Sequence, residues 1–404
     1  MSKKRILFVD DEPNILSGLR RMLRPMRHQW VLAFADSGRE ALKVMAEEPF
    51  DVVVSDMRMP GMDGAELLTL IQETYPHAIR IMLTGHADEK AILRTVGVVH
   101  QFLSKPCSPE QLKAVLDRAT ALHDLITNDQ LKILISRLGS LPSLPSLYAD
   151  LQRLLRDPDS SIQDVAHLIE QDLAMSAKVL QLVNSAFFGL YKTIDSPSRA
   201  VNLLGLDTIK ALVLGVQVFT ELKTTSSFFS VDALWEHSLK TGRLAREIAI
   251  SKSDNRELAD NSFIAGILHD IGKLILLSTL PDQFEQAVRL AGEREICLHM
   301  AEKEIFQASH DDVGAYLLGL WGLPSPVIEA IGFHHRLSDF PEESFSPALA
   351  VHIADVLYHQ NNGSLLPGCV PELDEAYLDR LGLAGQGDQW QGFWNLLEER
   401  SMEE

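Results

Sequence analysis

The apolar residues of the first hundred positions alternate between short continuous runs and longer segments with helical spacing. Four runs, at 6–9, 52–54, 79–83 and 98–103, have the length and composition of buried parallel strands, and a weaker run covers 31–35. Between the runs, apolar residues recur every three or four positions, as at 15–23, 41–45, 67–71 and 92–96. This order predicts an α/β domain with a doubly wound, five-stranded parallel sheet and helices on both faces.

The residues at the ends of these runs carry chemistry. Asp10 and Asp11 follow the first run, Asp56 lies just beyond 52–54, and Thr84 and Lys105 follow the two later runs. Because parallel strands place their carboxyl ends at one edge of the sheet, these side chains should share a crevice. One acid there is more often a turn former or a helix cap, but three carboxylates together need a cation such as Mg2+ and the ammonium of Lys105. We interpret the set as a phosphoryl-transfer pocket in which Asp56 is the phosphoacceptor.

The rest of the chain is predicted to be helical. Beyond residue 145 the apolar residues keep a helical period, which predicts an all-α domain with a buried core. Residues 108–138 predict one long helix or two in succession, with a break at Asn128 and Asp129. The expected organisation is an N-terminal domain at 1–122, a helical linker at 123–140, a helical output domain at 141–362 and a C-terminal extension at 363–404.

Polar groups recur in the output domain within segments that otherwise have the pattern of core helices. They are His237, His269, Asp270, His310, His334, His335 and Asp355. A lone histidine on an apolar face is usually a hydrogen-bonded core residue, but imidazoles and carboxylates on neighbouring helices are ligands of Zn, Mn, Fe, Co or Ni. Lys273 lies one turn after His269 and could hold a substrate phosphate, although a surface lysine would have the same pattern. His352 and His359 flank Asp355 at helical spacing and are alternative ligands.

The charge is unevenly distributed along the chain. Residues 1–125 contain 16 Lys/Arg and 17 Asp/Glu, whereas the remainder contains 21 and 39. An acidic surface repels phosphate backbones, so we expect no direct DNA binding.

No apolar stretch has the length of a membrane span and the N-terminus has no secretory pattern, so we expect no membrane insertion and a cytoplasmic location. Cys107, Cys297 and Cys369 lack metal or disulfide spacing, and we interpret all three as ordinary packing residues in a reducing compartment.

Residues 1 to about 122 resemble a response-regulator receiver domain, which has a flavodoxin-like fold, on the motifs VDDE, SDMRMPGMDG, MLTGH and FLSKP. The implied magnesium ligands are Asp10, Asp11 and Asp56, and the implied phosphate-sensing residues are Thr84, Lys105 and Phe102. The resemblance implies that a sensor histidine kinase or a phosphotransfer protein phosphorylates Asp56. For Phe102, a plain core role fits the sequence as well as the family's switching aromatic does.

Residues from about 138 to 360 resemble the HDOD output domain, a relative of the HD and HD-GYP phosphohydrolases. The resemblance rests on LPSLPSLY, IEQDLAMSAKVLQLVNSAFFG, AVNLLGLDTIKALVL, GILHDIGKL and GAYLLGLWGLPSPVIEAIGFHH. It implies one metal site of His237, His269, Asp270 and Asp355, a second site supported by His310, His334 and His335, and Lys273 beside the pocket. HDOD domains are generally regulatory modules without established catalysis. In addition, RLSDFPEES stands where HD-GYP enzymes carry the GYP sequence tied to cyclic di-GMP.

Two functions from different classes follow. In the first, phosphorylation of Asp56 rearranges the N-terminal domain, and the helical domain of a homodimer passes the signal to downstream protein partners. In the second, the output domain is a metal-dependent phosphohydrolase or phosphodiesterase acting on a nucleotide phosphate or a cyclic dinucleotide. The complete receiver pattern and the missing GYP sequence favour the first function. The near-complete ligand pattern and Lys273 favour the second.

Overall fold

A computed structural model of the chain describes residues 3–85, 95, 97–122, 125–138, 142–143, 145–157, 160–184, 194, 196–206, 209, 220–221, 228–341 and 344–403. The N-terminal domain contains a parallel sheet of β1 (Lys4–Val9), β2 (Trp30–Ala35), β3 (Val52–Asp56), β4 (Ile79–Thr84) and β5 (Gln101–Ser104), in the order β2-β1-β3-β4-β5. Its helices are α1 (Pro13–Met22), α2 (Gly38–Glu47), α3 (Gly64–Thr74) and α4 (Pro109–Leu122). The predicted doubly wound architecture is confirmed. The helical spacing at 92–96 falls mainly outside the described residues.

The loop after β3 brings α3 close to the end of that strand. Asp63 caps α3 in a capping box with Glu66, and the Gly64 N–H donates to the Met57 carbonyl at 2.9 Å. A Cβ on Gly64 would lie 2.1 Å from the Asp56 carbonyl oxygen. Only glycine fits this approach, so the sequence PGMDG determines how closely the loop surrounds the end of β3.

The C-terminal part of the chain is mostly helical. Its helices are α5 (Asp129–Ser136), α6 (Pro145–Arg156), α7 (Ile162–Glu170), α8 (Leu173–Asn184), α9 (Pro197–Leu204), α10 (Val231–Lys252), α11 (Arg256–Leu268), α12 (Ile271–Thr279), α13 (Pro281–Arg294), α14 (Leu298–Phe306), α15 (His310–Leu320), α16 (Ser325–Phe333), α17 (Pro347–Asn362), α18 (Glu375–Arg380) and α19 (Gly387–Glu403). Two short strands, β6 (Pro142–Ser143) and β7 (Thr220–Glu221), pair in parallel and were not predicted. Most of the predicted helical segment at 206–222 lies outside the described residues.

Two helices in succession, α4 and α5, join the domains, with the break at the predicted position. The Asn128 side chain caps α5 by accepting a hydrogen bond from the Leu131 N–H at 3.1 Å. The same side chain donates through Nδ2 to the Phe306 carbonyl at 3.0 Å. The joint is therefore anchored to the C-terminal domain.

The β4–β5 side of the sheet packs on the C-terminal domain through buried polar groups. Arg80 Nη2 donates to the Ser136 carbonyl at 2.7 Å, and His100 Nε2 contacts the same carbonyl at 3.1 Å. His100 Nδ1 accepts from the Arg80 backbone N–H at 3.0 Å, so Nε2 carries the proton and donates. Burial and the charge of Arg80 hold the pKa of His100 well below its usual value. A neutral histidine therefore links the two domains.

A second contact between the domains involves α15. Gln101 Nε2 donates to the Gly319 carbonyl at 3.1 Å, and Arg118 Nη1 donates to the Leu323 carbonyl at 3.2 Å. Gly322 has a left-handed φ of 78°, and a Cβ there would lie 3.3 Å from the Gln101 side chain. Strand β5 and helix α4 thus both contact the C-terminal end of α15.

The C-terminal extension packs as part of the helical domain. Trp390 and Trp394 are 1% and 4% exposed, and the Trp394 ring lies edge-on to Tyr358 with 5.8 Å between centroids. These aromatics therefore anchor the extension to the core of the helical domain.

Two of the three cysteines form a bond that the sequence did not predict. Cys297 and Cys369, separated by 72 residues, form a disulfide, whereas Cys107 is free and half-buried. The interpretation of all three as ordinary packing residues is wrong for this pair. Spacing along the chain does not show which distant segments meet in the fold.

Among the residues that the structure describes, one helical stretch, Arg256–Thr279, is long and apolar enough by composition to cross a membrane. Most of it, 83% of its most apolar window, is buried inside the protein. Such burial is typical of a core helix in a globular protein, so the stretch is weak evidence for membrane insertion.

We predict that Trp390→Ala lowers the free energy of unfolding by about 3–5 kcal/mol, because a buried indole leaves a cavity. Leu396→Ala, at a side chain that is 51% exposed on the same helix, is the control and should change stability by less than about 0.5 kcal/mol. Denaturant titration measures both values. Equal changes in the free energy of unfolding for the two variants would show that the extension does not belong to the core.

Candidate metal centre and phosphoacceptor pocket

The acidic residues predicted at the strand ends meet at one edge of the sheet. Lys105 Nζ lies 2.7 Å from Asp10 Oδ2 and 2.5 Å from Asp56 Oδ1. Asp56 Oδ2 also accepts a hydrogen bond from the Arg58 N–H at 2.9 Å. Burial raises the pKa of Asp56, and the ion pair with Lys105 opposes that rise. The carboxylate therefore relies on a neighbouring cation to keep its charge.

The remaining N-terminal candidates lie at the same edge. Thr84 is buried at the end of β4, and its carbonyl accepts from the Lys105 N–H at 2.7 Å. The Lys105–Pro106 peptide is cis. Asp11 is half-buried next to Asp10. Phe102 is buried in β5, which fits a core role and a switching role alike.

All seven candidates of the helical domain converge in its interior. The groups whose ligand atoms lie within 4.8 Å of one another are His237 with His269 and Asp355, His269 with Asp270 and His334, and His310 with His334 and His335. His237 Nε2 lies 3.0 Å from His269 Nε2 and 3.2 Å from Asp355 Oδ1. His310 Nε2 lies 3.0 Å from His335 Nε2. The structure thus brings the whole predicted set together, in three groups that share His269 and His334.

Glycines allow the supporting helices to approach closely enough for this convergence. A Cβ on Gly266 would lie 2.6 Å from the Gly242 Cα, so α10 and α11 touch backbone to backbone near His237 and His269. A Cβ on Gly272 would lie 1.9 Å from the His310 carbonyl oxygen, where α12 meets the start of α15. Any larger residue at these positions would push the ligand-bearing helices apart.

Hydrogen bonds fix the orientation of three of the rings. His269 Nδ1 donates to the Gly266 carbonyl and His334 Nδ1 to the Ile331 carbonyl, each at 2.7 Å. His310 Nδ1 lies 2.6 Å from Glu302 Oε2. In each ring Nε2 is left to face the cluster, which is the arrangement that metal-ligating histidines adopt.

The distances within the cluster fit a metal ion. Ligands held about 2.0–2.2 Å from one metal lie roughly 3.0–3.5 Å from each other. The Nε2 atoms of His237 and His269 are 3.0 Å apart, and each lies 3.4–3.5 Å from Asp270 Oδ2. His334 Nε2 is buried and has no hydrogen-bond partner within the part of the chain that the structure describes. A nitrogen lone pair of this kind is stabilised by a cation.

The charges of the cluster also favour a cation. Burial opposes ionisation of Asp270, but His269 and Lys273 outweigh it and hold the pKa of that carboxyl well below its usual value. Burial and the neighbouring His269 lower the pKa of His334 to about 3, so this ring is a neutral ligand at pH 7. Burial opposes protonation of His310, but Glu302 raises its pKa to about 10. Divalent metals compete with a proton for such a site.

Sequence reasoning missed Glu302. This carboxylate is fully buried and bonds both the backbone N–H of His310, at 2.7 Å, and its ring. In the sequence, AEKEIF gives no sign that Glu302 is buried while Glu304 is exposed. The sequence feature that could have indicated Glu302 is its position on α14, the helix directly before the candidate ligand His310.

The two alternative histidines differ in their surroundings. His352 donates from Nδ1 to the His334 carbonyl at 2.7 Å and accepts at Nε2 from the Asp374 N–H at 3.1 Å, so both nitrogens are used. His359 Nε2 lies 3.4 Å from Asp355 Oδ1 and remains next to the cluster. Of the two, only His359 fits a ligand role.

A pocket of about 210 Å³ opens onto the cluster. Its lining residues are Lys273, Cys297, Leu298, His299, His310, His335, His352, His359, Ser364, Leu365, Leu366, Pro367, Cys369, Pro371 and Glu372. Lys273 Nζ lies 2.6 Å from Asp270 Oδ2, and both are buried, so Lys273 is not the surface lysine of the alternative interpretation. A small molecule in the pocket would therefore lie beside Lys273 and the histidines of the cluster.

Comparison with known proteins assigns both domains. Residues 6–117 match the response regulator receiver domain family, and residues 141–337 match the HDOD domain family. An uncharacterized protein of Treponema pallidum is 35% identical over 207 residues, which are 51% of this chain and 40% of that protein. The transcriptional regulatory protein GlrR of Escherichia coli is 37% identical over 115 residues, 28% of this chain and 26% of GlrR. The chain thus spans less than half the length of these two relatives.

Among solved structures, the MmoQ response regulator of Methylococcus capsulatus is 25% identical, with a TM-score of 0.47, and the alignment covers 62% of this chain and 97% of that one. The family matches place the acidic pocket within the receiver domain and six of the seven clustered candidate ligands, from His237 to His335, within the HDOD match. Both resemblances inferred from the sequence motifs are confirmed. The chain belongs to the response regulators that join an N-terminal receiver domain to a C-terminal HDOD domain.

Proposed function

We propose that this response regulator is phosphorylated on Asp56 by a cytoplasmic histidine kinase or phosphotransfer protein, and that the phosphoryl group changes how the receiver domain docks on the HDOD domain. Magnesium would be held by Asp10, Asp11 and Asp56, and Lys105 and Thr84 would contact the phosphate. The HDOD domain would then pass the signal to protein partners, as a homodimer. The acidic composition of the C-terminal part supports contacts with proteins in preference to DNA.

The observation that carries the proposal is the position of α15. Its C-terminal end accepts the hydrogen bond from Gln101, and its first residue is the candidate ligand His310. Gln101 begins β5, and Lys105 directly follows this strand and pairs with Asp56. A phosphoryl group on Asp56 would compete for the ammonium of Lys105, and this strand leads directly from that ammonium to α15.

A second function, a metal-dependent phosphohydrolase, is favoured by the pocket above the cluster. When bound, a divalent metal would supply Lewis-acid activation of water and of a phosphate ester. His237, His269, Asp270 and Asp355 would hold one ion, and His310, His334 and His335 would support another. Lys273, buried on the pocket wall, would orient the phosphate of a nucleotide or a cyclic dinucleotide and balance its charge.

We predict that beryllofluoride with Mg2+ changes hydrogen exchange across α15 in the full-length protein, because the mimic acts on Asp56 and the change reaches the helix through Gln101. Asp56→Asn should abolish the response and Gln101→Ala should weaken it. The control is Gln29→Ala, at an exposed glutamine just before the edge strand β2. An unchanged response in Gln101→Ala would exclude this route.

We predict that Glu302→Gln weakens transition-metal affinity by about 10–100-fold, because this carboxylate orients His310 and increases its basicity. Glu304→Gln is the matched control, since Glu304 lies on the same helix, is exposed and forms an ion pair with Arg294 on the surface of the domain. Competition with a coloured chelator measures both affinities. Equal affinities would rule out Glu302 as a positioning residue.

The hydrolase proposal predicts that metal-loaded protein releases phosphate or a nucleotide from a panel of nucleotides and cyclic dinucleotides. His269→Ala and Asp270→Ala should lose this activity at least about 100-fold, because each change removes a ligand. Asp56→Asn is the control that leaves the metal cluster intact. Turnover that persists in both ligand variants, or its absence in metal-loaded protein, would reject an enzymatic output.

A further inference from the structure

The C-terminal extension forms one wall of the pocket above the metal cluster. Residues 364–372, here called the strap, contribute Leu365, Pro367 and Cys369 to this wall. The same pocket is lined by His299, His310 and other residues of the cluster wall. Any molecule bound in the pocket would therefore lie beside the strap.

Close backbone contacts hold the strap against the segment between α13 and α14. The Cys369 N–H donates to the Ile296 carbonyl at 3.3 Å. Gly368 has a φ of 128°, and a Cβ there would lie 2.5 Å from the Ile296 carbonyl oxygen, so only glycine fits. A Cβ on Gly292, near the end of α13, would lie 2.8 Å from Pro367. The strap is thus seated at one place, next to Cys297.

The disulfide joins the strap to the helix that supports the cluster. Cys297 is the N-terminal cap position of α14, and this helix carries both His299 and Glu302. Glu302 in turn bonds the ring of His310. One covalent bond therefore connects the outer wall of the pocket to the residue that orients a candidate ligand.

We propose that Cys297 and Cys369 are a redox-modified thiol pair that fastens the strap over the pocket when oxidised and releases it when reduced. In reduction, the bond between the two sulfurs breaks and each sulfur gains one electron and one proton. The electrons and protons come from two equivalents of a thiol, or from one dithiol, which becomes a disulfide. In a reducing compartment the bond is conditional, so the pocket would be open under reducing conditions and closed under oxidative stress.

The test compares oxidised and dithiothreitol-reduced full-length protein in two measurements. The first is the rate at which a chelator removes the metal from loaded protein, which should rise by about tenfold or more on reduction, as expected for a loop that opens locally. The second is amide hydrogen exchange at 364–372, which should speed up on reduction. Cys369→Ser should behave as the reduced protein under both conditions. Cys107→Ser is the matched control and should respond to the reductant as the unaltered chain does.

The outcomes separate this proposal from the metal site beneath it. The proposal that the disulfide fastens the strap would be overturned by equal hydrogen exchange at 364–372 in the oxidised and reduced protein. Free thiols at both Cys297 and Cys369 after oxidation would also overturn it. The first measurement rests on the proposed metal site. If the oxidised protein takes up no metal, the metal proposal fails. The hydrogen exchange measurement alone then decides whether the disulfide fastens the strap.

Discussion

The structure depends most on the burial of Asp270 and Asp355 within an apolar helical bundle. Charged carboxylates in such surroundings are costly unless cations or hydrogen bonds compensate them. Here the compensation comes from imidazole nitrogens 3.2–3.6 Å away and from the ammonium of Lys273. His334 differs, because its Nδ1 donates to a backbone carbonyl and its pKa is lowered to about 3 by burial and His269, so its Nε2 points inward without a proton to donate. The bundle is therefore arranged around a position where positive charge is required.

The same electrostatic requirement recurs in the receiver domain, and one helix lies between the two sites. Lys105 bridges Asp10 and Asp56, and β5 runs from that lysine to Gln101 at the domain interface. From there α15 leads to His310. The interface itself is built from buried, hydrogen-bonded groups: the guanidinium of Arg80 donates to the Ser136 carbonyl, and burial keeps His100 uncharged. Docking through such groups is specific in geometry and insensitive to salt.

Sequence patterns predicted the strands, the acidic pocket and the seven clustered candidate ligands, because each is marked by a local feature such as a strand end or a polar residue in a core helix. The features that escaped prediction depend on distant segments meeting. Glu302 cannot be distinguished from Glu304 by local pattern, and the pairing of Cys297 with Cys369 appears only when the extension folds back. The roles of Gly242, Gly266 and Gly272 were not predicted either, because these roles depend on contacts between helices.

The central claim, that the HDOD domain is organised around a metal centre, is tested most directly by X-ray absorption spectroscopy of the protein as purified from cells supplied with iron, manganese and zinc. The account predicts an absorption edge from a transition metal, with scattering from several imidazole rings that is lost when the bound metal is removed and restored when it is returned. Folded protein that carries no transition metal and takes none up when it is offered would contradict the account.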